Sequence, residues 1–389
     1  MLDKILSYFV FSEIEIILLV LLSILFIVQV YIYFFYYKAP YSRARRNSGD
    51  DNGSAGQNKP VPKVSVIITA ENEADALAKN LLPMLKQDYP DFEVVVVDNS
   101  SNDLTQDLLI SLRNMYPGRL YYTYVPYSND KKYGCRKLAL TIGIKAAKGD
   151  VLLFTEPYSR PISTGWISSM VDQLDDNIGV VLGHSFYTNT KDFYNRVARF
   201  DNLLFSLQYL STAIRSQGLT GTFCNVMFRK NLFFDRKGFA SVLNIEHAEN
   251  VFLNQIIRDN NTAVALSENS FVETTISRRW QWETIKDVYA ATKPYFRGWT
   301  KYLSTAETSS RLLFYAMVVA LSAYSVTTHN WVLLGITIFF FLLRLTIQLI
   351  IIGKAAKYFR AGIFHLSLLM MDIIQPFYNL NLRGKKKRR

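Results

Sequence analysis

The chain has 389 residues, half of them apolar and 14% aromatic, with a formal net charge of +12. That apolar content excludes a disordered protein, and the length accommodates one large soluble domain plus membrane segments. Two unrelated cysteines (Cys135, Cys224) and four scattered histidines exclude a disulfide framework and the spaced ligands of a zinc site, and they fit a reducing compartment.

Residues 16–37 carry no charge and are mostly Ile, Leu, Val, Phe and Tyr. They are long enough to span a bilayer core of ~30 Å, and no small-residue cleavage site marks them as a signal peptide. Lys38, Arg43, Arg45 and Arg46 follow at once, which places this end in the cytosol. Basic residues beside spans face anionic lipid, so the positive excess needs no nucleic acid to explain it. Residues 47–63, rich in Gly, Ser, Asn and Asp, read as a flexible tether.

Four apolar runs follow: Val64–Ile68, Glu93–Val97, Leu120–Tyr124 and Val151–Phe154. Helix-like stretches at 76–87, 104–115, 135–147 and 164–174 alternate with them, and Val180–Leu182 is a fifth strand. This alternation predicts a mostly parallel sheet with helices on both faces, an α/β domain. The second run ends in Asp98-Asn99-Ser100-Ser101-Asn102-Asp103 and the fourth in Thr155-Glu156-Pro157. Ligands of open α/β sheets bind at the carboxyl ends of strands, so a nucleotide site is expected there. The Asn99–Asp103 stretch is equally good turn and helix-cap chemistry, and both roles can hold together.

Residues 280–302 hold Trp280, Trp282, Tyr289, Tyr295, Phe296, Trp299 and Tyr302 among basic residues. Such a strip suits the headgroup layer or an ordinary core. Residues 312–328 and 331–352 are two further spans, followed by Lys354, Lys357 and Arg360. Arg344, inside the last span, either snorkels to the cytosolic side or meets a lipid phosphate or Asp372. Residues 361–382 are interrupted by Asp372, Gln375 and Pro376 and run into a basic tail, so they are expected to be interfacial or re-entrant. The organisation is thus an anchor over 1–40, a flexible linker over 41–63, a soluble domain over 64–305, a transmembrane hairpin over 306–353 and an interfacial segment over 354–389.

Several segments together resemble glycosyltransferase family 2. They are Val64 to Asn72-Glu73, Gln87-Asp88-Tyr89-Pro90 before Phe92–Asp98, Lys137–Thr141 with Ala146–Asp150, and Gly221–Lys230. The resemblance covers about residues 64–300 and lies in the order and spacing of the segments. It implies a Rossmann-like GT-A fold, a nucleotide-diphosphate sugar donor, a divalent metal (Mg or Mn) and inversion at the sugar carbon. By the same resemblance Asn72, Glu73, Asp98 and Asp103 would hold the nucleoside, and Lys137 would reach the phosphates or stand as a solvated helix lysine.

Two motifs depart from the family pattern. Where the family has Asp-x-Asp, this chain has Glu156-Pro157-Tyr158. Glu156 is a hard oxygen ligand for the metal, whereas the Tyr158 phenol is neutral near pH 7. Where the family has Glu-Asp-Asp, this chain has Glu246-His247-Ala248-Glu249. Alignment of the following helix puts Glu249 at the position of the general base, with a helix N-terminal carboxylate as the plain alternative. Ile276-Ser277-Arg278-Arg279-Trp280 lies where polymerising members carry Gln-x-x-Arg-Trp, so Arg279 would face the diphosphate and Trp280 the acceptor sugar.

The sequence therefore points to an integral membrane glycosyltransferase, its catalytic domain at the cytosolic face, expected of a bacterial inner membrane. Its partners would be membrane lipids, a lipid-linked or glycan acceptor and other components of cell-envelope polysaccharide biosynthesis, with no nucleic acid. The alternative is a catalytically inactive scaffold or binding subunit of a glycan-assembly complex.

Overall fold

The computed structural model describes residues 11–47, 61–125, 135–258, 260–365 and 367–386. Two compact units result: one comprises residues 42–301 with Phe359–Ala361, the other the remaining N-terminal and C-terminal segments.

The N-terminal helix α1 (Glu13–Ile32) opens on a Ser12–Glu15 capping box and continues through a π-helical turn, Tyr33–Tyr37, into α2 (Lys38–Asn47). The expected linker from 41 therefore starts later. Arg43, Ala44, Arg45 and Arg46 are good helix formers, and the arginines suit a helix C-terminus. The tether's residues 48–60 lie outside the described residues.

The 42–301 unit is built on a seven-stranded sheet of order β3-β2-β1-β4-β8-β6-β9. Its elements in chain order are β1 (Val64–Ala70), α3 (Ala74–Leu85), β2 (Phe92–Asp98), α4 (Thr105–Met115), β3 (Leu120–Tyr124), α5 (Cys135–Ala146) and β4 (Val151–Phe154). Then come β5 (Ser159–Pro161), α6 (Trp166–Val171), β6 (Val180–Leu182), β7 (Ser185–Tyr187), α7 (Phe193–Ile214), β8 (Val226–Arg229), α8 (Asn231–Asp235), α9 (Glu249–Ile256), β9 (Thr262–Val264), β10 (Val272–Thr274) and α10 (Arg279–Thr292).

Every residue of β1, β2 and β4 is buried, as runs with both faces covered must be. β1 pairs in parallel with β2 on one side (Ala70 opposite Asp98) and with β4 on the other (Ile67 opposite Phe154). The chain moves outward from β1 to β2 and β3, then returns to β4. The β1–β4 boundary is therefore the topological switch point, where such sheets open a crevice. Helix α5 lies close to the sheet because Gly143 has no side chain: a Cβ there would meet Val97 and Ile67 at 3.0 and 3.1 Å.

Two features were not expected. β8 runs antiparallel to both β4 and β6, and a second sheet, β5-β10-β7, forms beside the first. Asn225 joins these parts. Its Oδ1 accepts from Trp166 Nε1 (3.0 Å), and its Nδ2 donates to the carbonyls of His184 (2.9 Å) and Ser270 (2.8 Å). Each buried partner left unpaired costs ~1–3 kcal/mol. Asn225→Ala is expected to destabilise this unit by about 3 kcal/mol, checked by urea denaturation followed through tryptophan fluorescence; an unchanged midpoint would contradict it.

Phe359–Ala361 belongs to this unit although the sequence assigns it to the C-terminal segment. The Phe359 carbonyl lies 2.9 Å from His184 Nε2, and Arg360 pairs with Glu268 at 2.9 Å. Burial lowers the His184 pKa to about 4, so the imidazole is neutral near pH 7 and its Nε2–H donates. The aromatic strip divides: Trp282 and Phe296 are core residues, while Trp280, Tyr295, Trp299 and Tyr302 are exposed.

In the other unit, α1 packs with α11 (Leu303–Thr327) and α12 (Trp331–Tyr358), and α13 (Ser367–Lys386) packs with α11 and is bonded to α12 through Asp372 and Arg344. Three helical segments, Glu13–Asn47, Trp299–Thr327 and Trp331–Tyr358, are long and apolar enough to cross a membrane. Their outer positions are apolar, as at Ile24, Ile27, Phe339 and Leu342, whereas Gln29, Arg311, Arg344 and Asp372 are buried. Arg344 does not snorkel. It donates to Asp372 (3.0 Å), Gln29 (3.0 Å), Tyr33 (3.1 Å) and Tyr315 (2.9 Å). Asp372 also accepts from Arg311 (2.7 Å) and Tyr315 (2.6 Å).

Candidate functional site

Loops at the carboxyl ends of β1, β2 and β4 meet at the switch point. The loops after β1 and β2 are laced together. Asn72 N donates to Ser101 Oγ (2.8 Å), Asn102 N to Asn72 Oδ1 (2.8 Å) and Ala74 N to Asp103 Oδ2 (3.1 Å). Asn72 and Ser100 have φ of 55° and 60°, a left-handed conformation that Asn tolerates better than Ser. Asp98 is buried and accepts from Ser101 N (3.1 Å).

Asp103 also accepts from Thr105 N (3.0 Å). Burial opposes its ionisation, but the hydrogen bonds from Thr105 and Ala74 prevail and hold its pKa below the usual aspartate value. Asp103 thus performs the cap chemistry open to it from sequence. Glu73 is pushed the other way, chiefly by burial and then by the charges of Glu156 and Asp103. Glu73, Asp103 and Glu156, each from a different loop, therefore form one electrostatic group.

Arg136 links that group to Glu249. It stands in the first turn of α5. Its Nη1 donates to Glu156 Oε2 (3.2 Å) and its Nη2 makes a shorter contact to Glu156 Oε1. Its Nε pairs with Glu249 Oε1 at 3.1 Å. Both carboxylates are buried, whereas the Arg136 side chain is 34% exposed. Although burial disfavours its charge, Glu156 and Glu249 raise the Arg136 pKa further above its already high value.

Glu249 opens α9, preceded by His247 at φ 55°. Its Oε1 faces Arg136, and His247 Nδ1 lies 3.8 Å from the same oxygen. Among the described residues its Oε2 is buried with no hydrogen-bond partner. A carboxylate with one oxygen anchored and the other without a partner can accept a hydrogen bond from an incoming hydroxyl.

Lys137 is neither a solvated helix lysine nor free for a phosphate. It is buried, and its Nζ donates to the carbonyls of Leu243 (2.7 Å) and Ile245 (2.8 Å). It pins the segment leading to Glu249 onto α5. Arg279 and Trp280 start α10, where Arg279 pairs with Glu283 at 2.8 Å and Trp280 is exposed. The sequence reading missed Arg136; the signal available was that two acidic residues brought to one site require a cation.

The donor set does not fit a divalent ion. Both Glu156 oxygens are on Arg136, and the Pro157 carbonyl accepts from Asn80 (2.9 Å). Burial and then the charge of Glu156 push the Tyr158 phenol well above its usual pKa, so it stays protonated. Among the described residues no group of three or more His, Cys, Asp and Glu side chains is placed to hold a metal.

Residues 65–235 match the family model described as glycosyl transferase family 2. The uncharacterized glycosyltransferase YfnE of Bacillus subtilis is 38% identical over 93 residues, 24% of this chain and 22% of the relative. An uncharacterized glycosyltransferase of Rickettsia typhi is 27% identical over 190 residues, 46% of this chain and 55% of the relative. The chain thus spans from about a fifth to about half the length of these curated relatives. Among solved structures, the mannosyltransferase PcManGT of Pyrobaculum calidifontis, in complex with GDP-Man and Mn2+, is similar with a TM-score of 0.54. The identity is 19%, over 87% of this chain and 98% of the other. At that identity the likeness is one of fold: a GT-A-type α/β sheet.

Proposed function

We propose that this chain, a member of glycosyl transferase family 2 through residues 65–235, transfers a sugar from a nucleotide-diphosphate sugar to a lipid-linked or glycan acceptor, with inversion, at the cytosolic face of a membrane. The observation that carries the reading is Glu249, whose Oε2 is buried and unpaired while Oε1 is held by Arg136. In a single displacement the acceptor hydroxyl oxygen bonds to the anomeric carbon as the bond to the diphosphate oxygen breaks. Glu249 takes the hydroxyl proton, and the configuration inverts. Asp98, Asp103, Asn72 and Glu73 border the strand ends where a nucleoside would lie. Arg279 and Trp280, exposed at the start of α10, would meet the diphosphate and the acceptor.

Three helices apolar enough to cross a membrane support an acceptor presented by the bilayer. Three spans among the described residues favour single-sugar transfer over extrusion of a polymer, with α13 as an interfacial or re-entrant helix. The setting that fits is cell-envelope glycan assembly at a bacterial inner membrane.

The test is nucleotide release from a panel of nucleotide sugars by the detergent-purified chain with lipid extract. Release that depends on the extract is expected. No release from any donor, together with no nucleotide binding, would replace this reading with a non-catalytic scaffold in a glycan-assembly complex.

A further inference from the structure

We propose that Arg136 is the permanent cation of the donor site, so that a nucleoside diphosphate binds without a divalent metal. The inference rests on the donor-site reading above and starts from a charge problem. Glu156 and Glu249 are two buried carboxylates at one site, and a donor adds an anionic diphosphate. Some cation must stand between them. The structure puts a guanidinium there, and the residues that would hold a divalent ion are otherwise engaged or absent.

The geometry makes the guanidinium a fixture. Both Glu156 oxygens accept from its two terminal nitrogens, a paired arrangement that an ammonium could not copy. A metal ion at Glu156 would have to break that pair. Where the family motif has its second carboxylate this chain has Tyr158, which burial and Glu156 keep protonated.

Arg136 is also suited to meet the donor. A guanidinium has five N–H donors; two are spent on hydrogen bonds to Glu156, and the one on Nε faces Glu249 in an ion pair. Two remain, on the member of the trio most open to solvent. The trio carries one positive and two negative charges. Its attraction is therefore one of directed contact: two charge-assisted N–H bonds to phosphate oxygens. The same side chain fixes Glu249 Oε1, so one residue touches the donor and positions the base.

Calorimetric titration of UDP, GDP, ADP, CDP and dTDP into the detergent-purified full chain, in EDTA and in Mn2+, tests this. The wild-type chain is expected to bind its nucleotide in EDTA within about 2-fold of its affinity in Mn2+. Arg136→Met is expected to bind about 10- to 100-fold more weakly in EDTA. Mn2+ should restore part of that loss, because Glu156 is then free to take the ion. Binding by the wild type that requires Mn2+ would overturn the inference and leave the donor site standing; this comparison needs no variant to fold. Arg136→Met binding like wild type in EDTA would also overturn it. No binding of any nucleotide in either buffer would remove the donor-site reading and this inference together.

Discussion

Glu249→Gln is expected to slow sugar transfer by about 10²- to 10⁴-fold and to leave nucleoside diphosphate affinity within about 2-fold. The substitution keeps the shape of the side chain and an amide oxygen for Arg136 Nε, which now pairs with Glu249 Oε1 at 3.1 Å. Arg136 also keeps both bonds to Glu156, so the donor side of the site should persist. What is lost is the basic oxygen. Oε2 has no partner among the described residues, and an amide nitrogen there can donate but cannot take a proton near pH 7. The effect should therefore fall on turnover, not on donor binding. Single-turnover transfer and calorimetric nucleotide binding on the same preparation separate the two. Unchanged turnover would remove Glu249 from the mechanism, and a parallel loss of binding would make it a structural partner of Arg136.

The middle of the central sheet was legible because β1, β2 and β4 are buried on both faces. Val64–Ala70 and Phe92–Asp98 are mostly apolar runs ending in polar loops, and their bounds differ from those read in the sequence by two residues or fewer. The strands of the second sheet have three residues each and carry polar ones (Ser-Arg-Pro, Ser-Phe-Tyr, Val-Glu-Thr), so unlike Val180–Leu182 they show neither an apolar run nor a periodicity. The antiparallel sense of β8 could not be read either, since direction depends on how the preceding chain returns. Likewise, Phe359–Ala361 joins the soluble unit through contacts such as that with His184, which no local pattern encodes.

The site divides in the same way. Glu156 could be found because it follows β4 and Glu249 because it starts a recognisable helix, and the structure brings both onto Arg136. Arg136 was passed over because its neighbour Lys137 occupies the position expected to reach phosphates. On a helix, successive residues point in different directions. Lys137 turns to the carbonyls of Leu243 and Ile245, and Arg136 turns to the carboxylates. A resemblance aligned to within one residue therefore does not say which of two neighbouring side chains faces the carboxylates.

The membrane unit offers the second large effect: Asp372→Leu is expected to destabilise it by about 3–5 kcal/mol. Two terms compete in that figure. A hydrogen bond between membrane helices contributes only ~0.6–2 kcal/mol, whereas an uncompensated arginine at the centre of a span costs ~2.5–3.5 kcal/mol. Asp372 pairs with both Arg311 (2.7 Å) and Arg344 (3.0 Å), so the charge term dominates. Glu307, 3.4 Å from Arg311 Nε, still balances one arginine in the variant and keeps the loss from doubling. The double variant Arg344→Leu/Asp372→Leu should therefore recover most of the stability, since it leaves only the Arg311–Glu307 pair. Unfolding of the detergent-solubilised chain by increasing SDS, compared across wild type, the single variants Asp372→Leu and Arg344→Leu and the double variant, measures the coupling. If the double variant is no more stable than Asp372→Leu alone, the network is not held by charge balance, and the hydrogen bonds to Gln29, Tyr33 and Tyr315 would have to account for it.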